Sequence, residues 1–108
     1  MRLMFIHEDE RRTLIEWSGG KVSKALIVKE ECAVGDHYHK NKEERFLLLV
    51  GVALRVIIGS VTERMIFAPH EFTVPPNTYH MFHLAEGSIL LGVRSEEFDP
   101  KDEIKGRP

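Results

Sequence analysis

Two stretches about forty residues apart hold the residues best suited to chemistry: His37-Tyr38-His39-Lys40-Asn41-Lys42-Glu43-Glu44 and Pro75-Pro76-Asn77-Thr78-Tyr79-His80. On an extended strand, residues two apart share a face, so His37 and His39 can direct two imidazoles into one cavity. Glu44 stands an odd step beyond His39 and would face away on an uninterrupted strand. The polar Lys40-Asn41-Lys42 stretch reads as a turn that can return it to the same face. With His80 the chain offers three imidazoles and a carboxylate, a set that suits Zn, Fe, Mn, Ni or Cu better than Ca or Mg. The same four residues also admit a metal-free polar cavity of hydrogen-bonded histidines.

The elements that must position them read as strands. Short apolar and β-branched runs cover Thr13 to Trp17, Val22 to Lys29, Arg45 to Val50, Ala53 to Ile58, Thr62 to Phe67, Phe72 to Val74, Tyr79 to Leu84 and Ser88 to Arg94. Gly19-Gly20, Gly35-Asp36, Gly51, Gly59-Ser60, Pro69, Pro75-Pro76-Asn77 and Glu86-Gly87 break them. Gly59-Ser60 suits a tight hairpin, since glycine accepts the positive φ such turns need. No segment has the period of a long amphipathic helix, so the expectation is an all-β sandwich or barrel. The charged, proline-bounded residues 96–108 read as a short helical turn or a frayed tail on the surface.

Composition narrows the classes further. The 108 residues hold no linker-like stretch or internal repeat, so one domain with one core is expected. A formal charge of −2 with scattered Lys and Arg argues against nucleic acid as a partner. Cys32, the only cysteine, excludes an intrachain disulfide and fits a reducing compartment. The apolar run near Met1 is too short for a signal peptide and no later run spans a bilayer, so a soluble cytoplasmic protein is expected.

Alternation sorts the remaining side chains. With Glu44 facing the cavity, Phe46, Leu48 and Val50 line it, whereas Arg45, Leu47 and Leu49 face outward. Leu47 and Leu49 then need cover, either from a partner subunit in a homodimer or from Leu3 to Ile6 or the strand around Leu26. His83, three residues from His80, faces the opposite way, and His7 and His70 read as surface. Tyr38 and Tyr79 alternate away from the histidines, and Phe82 joins Phe46 as barrel core. Arg55 and Arg94 read as surface, or as phosphate or carboxylate binders if they point inward. Cys32 reads as a small buried apolar residue.

His37-Tyr38-His39, Glu44 after four intervening residues and Gly51 after six more resemble the first cupin motif, HxH(x)4E(x)6G. Pro75 with His80 resembles the second, PxGxxH. The resemblance implies a double-stranded β-helix, the cupin jelly-roll barrel, over about residues 22–95, preceded by an N-terminal strand segment 1–20 and followed by a tail 96–108. Asn77 replaces the motif's glycine, a tolerable change because asparagine accepts left-handed backbone angles. Leu84, Pro69 and Glu31 also depart from motif positions, weakening the match at turns and leaving the ligands intact.

Within the superfamily, Gly35-Asp36-His37-Tyr38-His39-Lys40, Val74 to His80 and the ending Ser95-Glu96-Glu97-Phe98-Asp99 resemble the single-domain cupins of nucleotide-sugar metabolism. The nearest resemblance is to sugar 3,4-ketoisomerases and the cupin domain of capsule-synthesis reductases. In the ketoisomerases a histidine pair is thought to shuttle protons between neighbouring carbons of a 4-keto-6-deoxy sugar without a metal. By position His39 would be the base and His37 its partner, a role suited to imidazole. Glu44 completes a ligand set with His37, His39 and His80 and so argues for a metal on the same nitrogens. The resemblance implies a cupin holding a divalent transition metal (Zn, Fe, Mn or Ni) and isomerising or epimerising a small carbohydrate or nucleotide sugar. A metal-dependent oxygenase-type enzyme and a non-catalytic ligand- or metal-binding module are the alternatives. The chain is somewhat shorter than the ketoisomerases, which leaves fewer residues to hold a nucleotide.

Overall fold

β-Branched and aromatic residues set between glycine and proline turns leave strands as the regular elements of the described residues. The computed structural model describes residues 2–19, 22–94 and 103–107. Its strands are β1 (Arg2–Glu8), β2 (Arg12–Ser18), β3 (Val22–Val28), β4 (Cys32–His39), β5 (Glu44–Val50), β6 (Val52–Ile58), β7 (Val61–Phe67), β8 (His70–Val74), β9 (His80–Leu84), β10 (Ile89–Arg94) and β11 (Glu103–Lys105). One sheet of six strands runs β1-β2-β3-β10-β5-β8, and a second of five runs β11-β4-β9-β6-β7. The two sheets share one core, with Leu26, Phe46, Leu48, Phe72 and Leu90 from the first against Val56, Phe82 and Leu84 from the second. Phe82 meets Phe46 and Phe72 at ring-centroid distances of 4.9 and 5.3 Å, which fixes the spacing of the sheets around the site.

The turns follow the glycine signals. Ile58 pairs with Val61 around Gly59-Ser60, and Gly59 has φ 61°, the two-residue hairpin its sequence suggests. Gly51, the motif glycine, has φ 96° and lies against Ser88, whose side chain fills the space a Cβ would need. The Ser88 hydroxyl accepts from the Val52 N–H and donates to the Val52 carbonyl, both at 3.2 Å, so this close approach ties two turns together. Asn77 takes φ 57°, the left-handed angle expected where the motif has glycine.

Several expectations change. Residues 103–105 form strand β11, hydrogen-bonded along the edge of β4, in place of a helical turn or frayed tail. The free edge of β4 offers backbone partners that a surface helix could not use. Residues 95–102 and 108 lie outside the described residues, as does the side chain of Arg94. Val50 is 46% exposed and leaves the cavity face, because a bulge at Leu49 pairs Val50 with Ile89, in the row of exposed Ile27 rather than that of Leu48. Leu49 is also 46% exposed, and neither proposed cover within the chain reaches it. Leu3 to Ile6 are themselves exposed on the edge strand β1, and Leu26 points into the core of the same sheet. Among the described residues no helix is long and apolar enough to cross a membrane.

Candidate metal centre

Strand β4 carries His37 and His39, and its register against β9 shifts between Gly35 and His37, a bulge that sets His37 directly opposite His80. The bulge has a steric reason. Gly35 has φ 97° and its missing Cβ would lie 2.8 Å from the His80 carbonyl oxygen, and Asp36 also has φ 60°. The Asn77 N–H donates to the His39 carbonyl and so joins the two histidine-bearing stretches. Segment 40–43 does not fold Glu44 back beside His39 on one strand. It carries the chain to the other sheet, where Glu44 opens β5 and faces the histidines across the cavity.

The four side chains converge. One ligand atom from each of His37, His39, Glu44 and His80 lies within 4.8 Å of the others, so the group could hold a metal ion. His39, Glu44 and His80 are buried and His37 partly so. Glu44 Oε1 is 2.6 Å from His39 Nε2 and 3.7 Å from His80 Nε2. The shorter approach is close in distance but not aligned as a hydrogen bond. Glu44 Oε1, both ring nitrogens of His39, His37 Nε2 and His80 Nδ1 are all buried without a hydrogen-bond partner. Buried polar atoms are rarely left so, and a carboxylate oxygen gathered with one lone-pair nitrogen from each imidazole fits a shared cation.

The electrostatics agree with a ligand set. Burial pulls His80 down to about 3, against the opposing pull of the Glu44 carboxylate. Burial likewise lowers His37 despite Glu103. Both imidazoles are therefore neutral at pH 7, the form that donates a lone pair to a metal. Burial pushes the Glu44 carboxyl up, but the Lys24 ammonium, His39 and Lys42 outweigh it and hold the carboxyl well below the usual carboxylate range.

Two further residues support the cluster without any motif signal. Lys24 Nζ lies 3.1 Å from Glu44 Oε2, leaving Oε1 toward the histidines. Lys24 reaches it from β3 by crossing β10 over Gly92, with which it pairs, and Gly92 in turn pairs with Phe46 on β5. A Cβ at Gly92 would lie 2.5 Å from Lys24 Cε and 2.6 Å from Cγ, so the glycine makes the path. The ammonium ends 5.3 Å from the Phe46 ring centroid. Glu103, on β11, places Oε1 3.3 Å from His37 Nδ1, which leaves His37 Nε2 for the cluster. A glycine inside a strand pattern was the one visible trace of Lys24, but only the pairing identifies what crosses there.

The other histidines stay outside. His83 contacts Glu31 at 3.1 Å near the surface, His7 contacts Asp9 at 3.0 Å, and His70 is exposed. Phe46 and Phe82 line the cavity beside His37 and His80, as alternation requires. Tyr79 turns away and donates its hydroxyl to Asp36 at 2.6 Å. Cys32 is buried and free. Arg55 is half-buried and lies off the cavity wall. The cavity holds about 510 Å³, room for a small molecule beside the cluster.

No family model matches the chain, and no curated protein does. Solved structures do. The capsular polysaccharide assembling protein CapF from Staphylococcus aureus superposes with TM-score 0.79 at 17% identity over 98% of this chain. This chain spans only about a third of CapF, 34% of its length. Pac13 from Streptomyces, a nucleoside dehydratase, gives TM-score 0.68 at 14% identity, covering 96% of this chain and 87% of that one. Rru_A2000 from Rhodospirillum rubrum, a cupin-2 domain, gives 0.69 at 14%, covering 95% and 74%. At these identities the likeness carries the fold, and together with the two facing sheets and the enclosed histidine–glutamate cluster it makes this chain a small cupin by fold.

Proposed function

We propose that His37, His39, Glu44 and His80 bind one divalent transition metal, Zn, Fe, Mn or Ni, and that the protein isomerises or epimerises a small carbohydrate or nucleotide sugar. The observation that carries this reading is the convergence of four ligand atoms within 4.8 Å, buried and largely without hydrogen-bond partners. A metal bound there would supply a Lewis acid to a substrate carbonyl. The chain's own residues do the rest. Lys24 keeps Glu44 ionised and directs one oxygen to the histidines, Glu103 orients His37, and Phe46 and Phe82 close the apolar side of the cavity. Support for the sugar half comes from the likeness to CapF, which assembles capsular polysaccharide, and to Pac13, which acts on a nucleoside.

A second reading rests on the carboxylate beside each histidine. Glu44 lies against His39 and Glu103 against His37, the arrangement of a metal-free proton shuttle with His39 as base and His37 as its partner. His39 would then take a proton from the carbon beside the ketone, that carbon's hydroxyl proton would pass to the ketone oxygen, and a proton would be returned to the former ketone carbon. Deuterium incorporation from D2O into a 4-keto-6-deoxy nucleotide sugar, with metal-loaded and chelator-stripped protein, separates the two. Exchange only in the loaded protein supports the metal reading, and exchange in the stripped protein supports the shuttle. No exchange in either contradicts a sugar isomerase.

We read the chain as one cupin domain working as a cytoplasmic homodimer. Edge strand β1 exposes Leu3, Met4, Phe5 and Ile6, and Leu49 and Val50 expose a second apolar stretch of the same sheet. Exposed apolar strands of this kind call for a partner. Light scattering after gel filtration should give twice the chain mass, and a monomer across the micromolar range would exclude the dimer. Recovery from the membrane or secreted fraction would overturn the location.

A further inference from the structure

Arg12, Leu14 and Glu16 alternate along β2, and all three line the cavity. Their pairing extends each into a row across the sheet. Glu16 lies level with Lys24, Gly92 and Phe46, the row that reaches Glu44. Leu14 lies level with Leu26 and Leu90. Arg12 lies opposite Val28, four residues along the strand from Glu16, or roughly 13 Å at the rise of an antiparallel strand. The cavity therefore changes character along its length, from the histidine cluster through a leucine belt to a guanidinium.

Three other charges near the cluster are engaged within the fold: Lys24 by Glu44, Glu103 by His37 and Asp36 by Tyr79. Arg12 is not. Its Nε is buried without a hydrogen-bond partner, and no ion pair reaches it among the described residues. Asp9, three residues earlier, already accepts from the backbone N–H groups of Arg11 and Arg12 and contacts His7, and Glu10 is exposed. Glu16 stands at the other end of the row pattern, beyond comfortable reach. A buried guanidinium N–H without an acceptor is costly, and its fork matches a carboxylate or phosphate.

We propose that Arg12 forms an anion subsite at the end of the cavity away from the histidines. The ligand is then bipolar: an oxygen-bearing head at the cluster, an apolar middle over Leu14, Leu26 and Leu90, and a carboxylate or phosphate at Arg12. The head-group half rests on the metal reading above, while the Arg12 half does not. A deoxy sugar carrying a phosphate has this character, and so does a medium-chain acid.

The test is calorimetric titration of octanoate, octyl phosphate and octanol into chelator-stripped protein and its Arg12→Met and Lys105→Met variants, each checked for native circular dichroism. Lys105 also lines the cavity and serves as the charge control. At least one acid should bind the parent protein and lose about tenfold or more in affinity in Arg12→Met, the value of one charge-assisted contact. Lys105→Met should keep its affinity, and octanol should not distinguish Arg12→Met from the parent. The tighter of the two acids identifies the tail as carboxylate or phosphate. Failure of both acids to bind, or equal affinity in the parent and Arg12→Met, overturns the subsite. Because the protein is stripped, that result is independent of the metal reading, which metal stoichiometry decides.

Discussion

Substituting Gly92 by alanine should destabilise the protein through a side chain of the neighbouring strand, Lys24. The new Cβ would stand 2.5 Å from Lys24 Cε, 2.6 Å from Cγ and 3.1 Å from Cδ. The strand cannot yield cheaply because Gly92 is paired on both sides, with Lys24 on β3 and Phe46 on β5. The lysine stem must therefore leave, and with it the ammonium now 3.1 Å from Glu44 Oε2. At that separation and an effective dielectric near 20 the gross attraction is about 5 kcal/mol, and desolvation of the buried partners removes much of it. A net loss of about 2 kcal/mol follows, or roughly 8 to 16 °C in melting temperature for a domain of this size.

The informative assay is a double-mutant cycle on chelator-stripped protein, followed by urea unfolding. With Lys24→Ala in place the path over β10 is empty, and Gly92→Ala should then be neutral or stabilising by about 0.5 kcal/mol, since alanine orders a strand at less entropic cost than glycine. The expected signature is a change of sign between the two backgrounds. Equal destabilisation by Gly92→Ala in both would show that the glycine serves the sheet and not the lysine, and the account of how Glu44 is held would be wrong.

Other consequences can be checked alongside. Glu103→Gln should weaken metal binding about tenfold to hundredfold in a chelator competition while leaving the stripped protein's unfolding nearly unchanged, and unaltered affinity would remove Glu103 from the site. Stripped protein should lose stability as the pH falls from about 6.5 toward 3, by up to about 1.4 kcal/mol per unit from His80 alone. The sign follows because the unfolded imidazole takes up a proton that buried His80, lowered to about 3, refuses. A flat urea midpoint between pH 7 and 5 would contradict that burial. Gly51→Ala, with φ 96° and Ser88 behind it, should cost about 3 kcal/mol, whereas Gly87→Ala, with φ 82° and open space, should cost about 1 kcal/mol.

The ligand types and most strands were legible because they are local properties. His37 and His39 two apart, the Gly59-Ser60 hairpin and the alternation that sorts Phe46 from Leu47 all lie within a few residues. What joins distant segments was not. Glu44 reaches the histidines by changing sheets, a crossing that periodicity cannot distinguish from a turn on one strand. β11 is three residues long and lacks an apolar run, so its pairing with β4, and hence Glu103 beside His37, depends on an edge supplied by residues 64 to 68 positions earlier. Lys24 and Arg12 look like ordinary surface cations until the sheet register places one over Gly92 and the other at the cavity end. Val50 failed for a different reason: alternation holds only until the bulge at Leu49 adds a residue to β5 and turns Val50 to the outer face.

The central claim, that His37, His39, Glu44 and His80 form a metal site, is tested most directly by elemental analysis of protein purified without chelator or affinity metal, beside the Glu44→Gln variant. The account expects about one transition metal per chain in the parent and a large loss in Glu44→Gln, since a neutral amide replaces the only anionic ligand. Equal metal in both, or none in a parent protein that also fails to take up added Zn, Fe, Mn or Ni, would contradict it and return His37 and His39 to proton transfer.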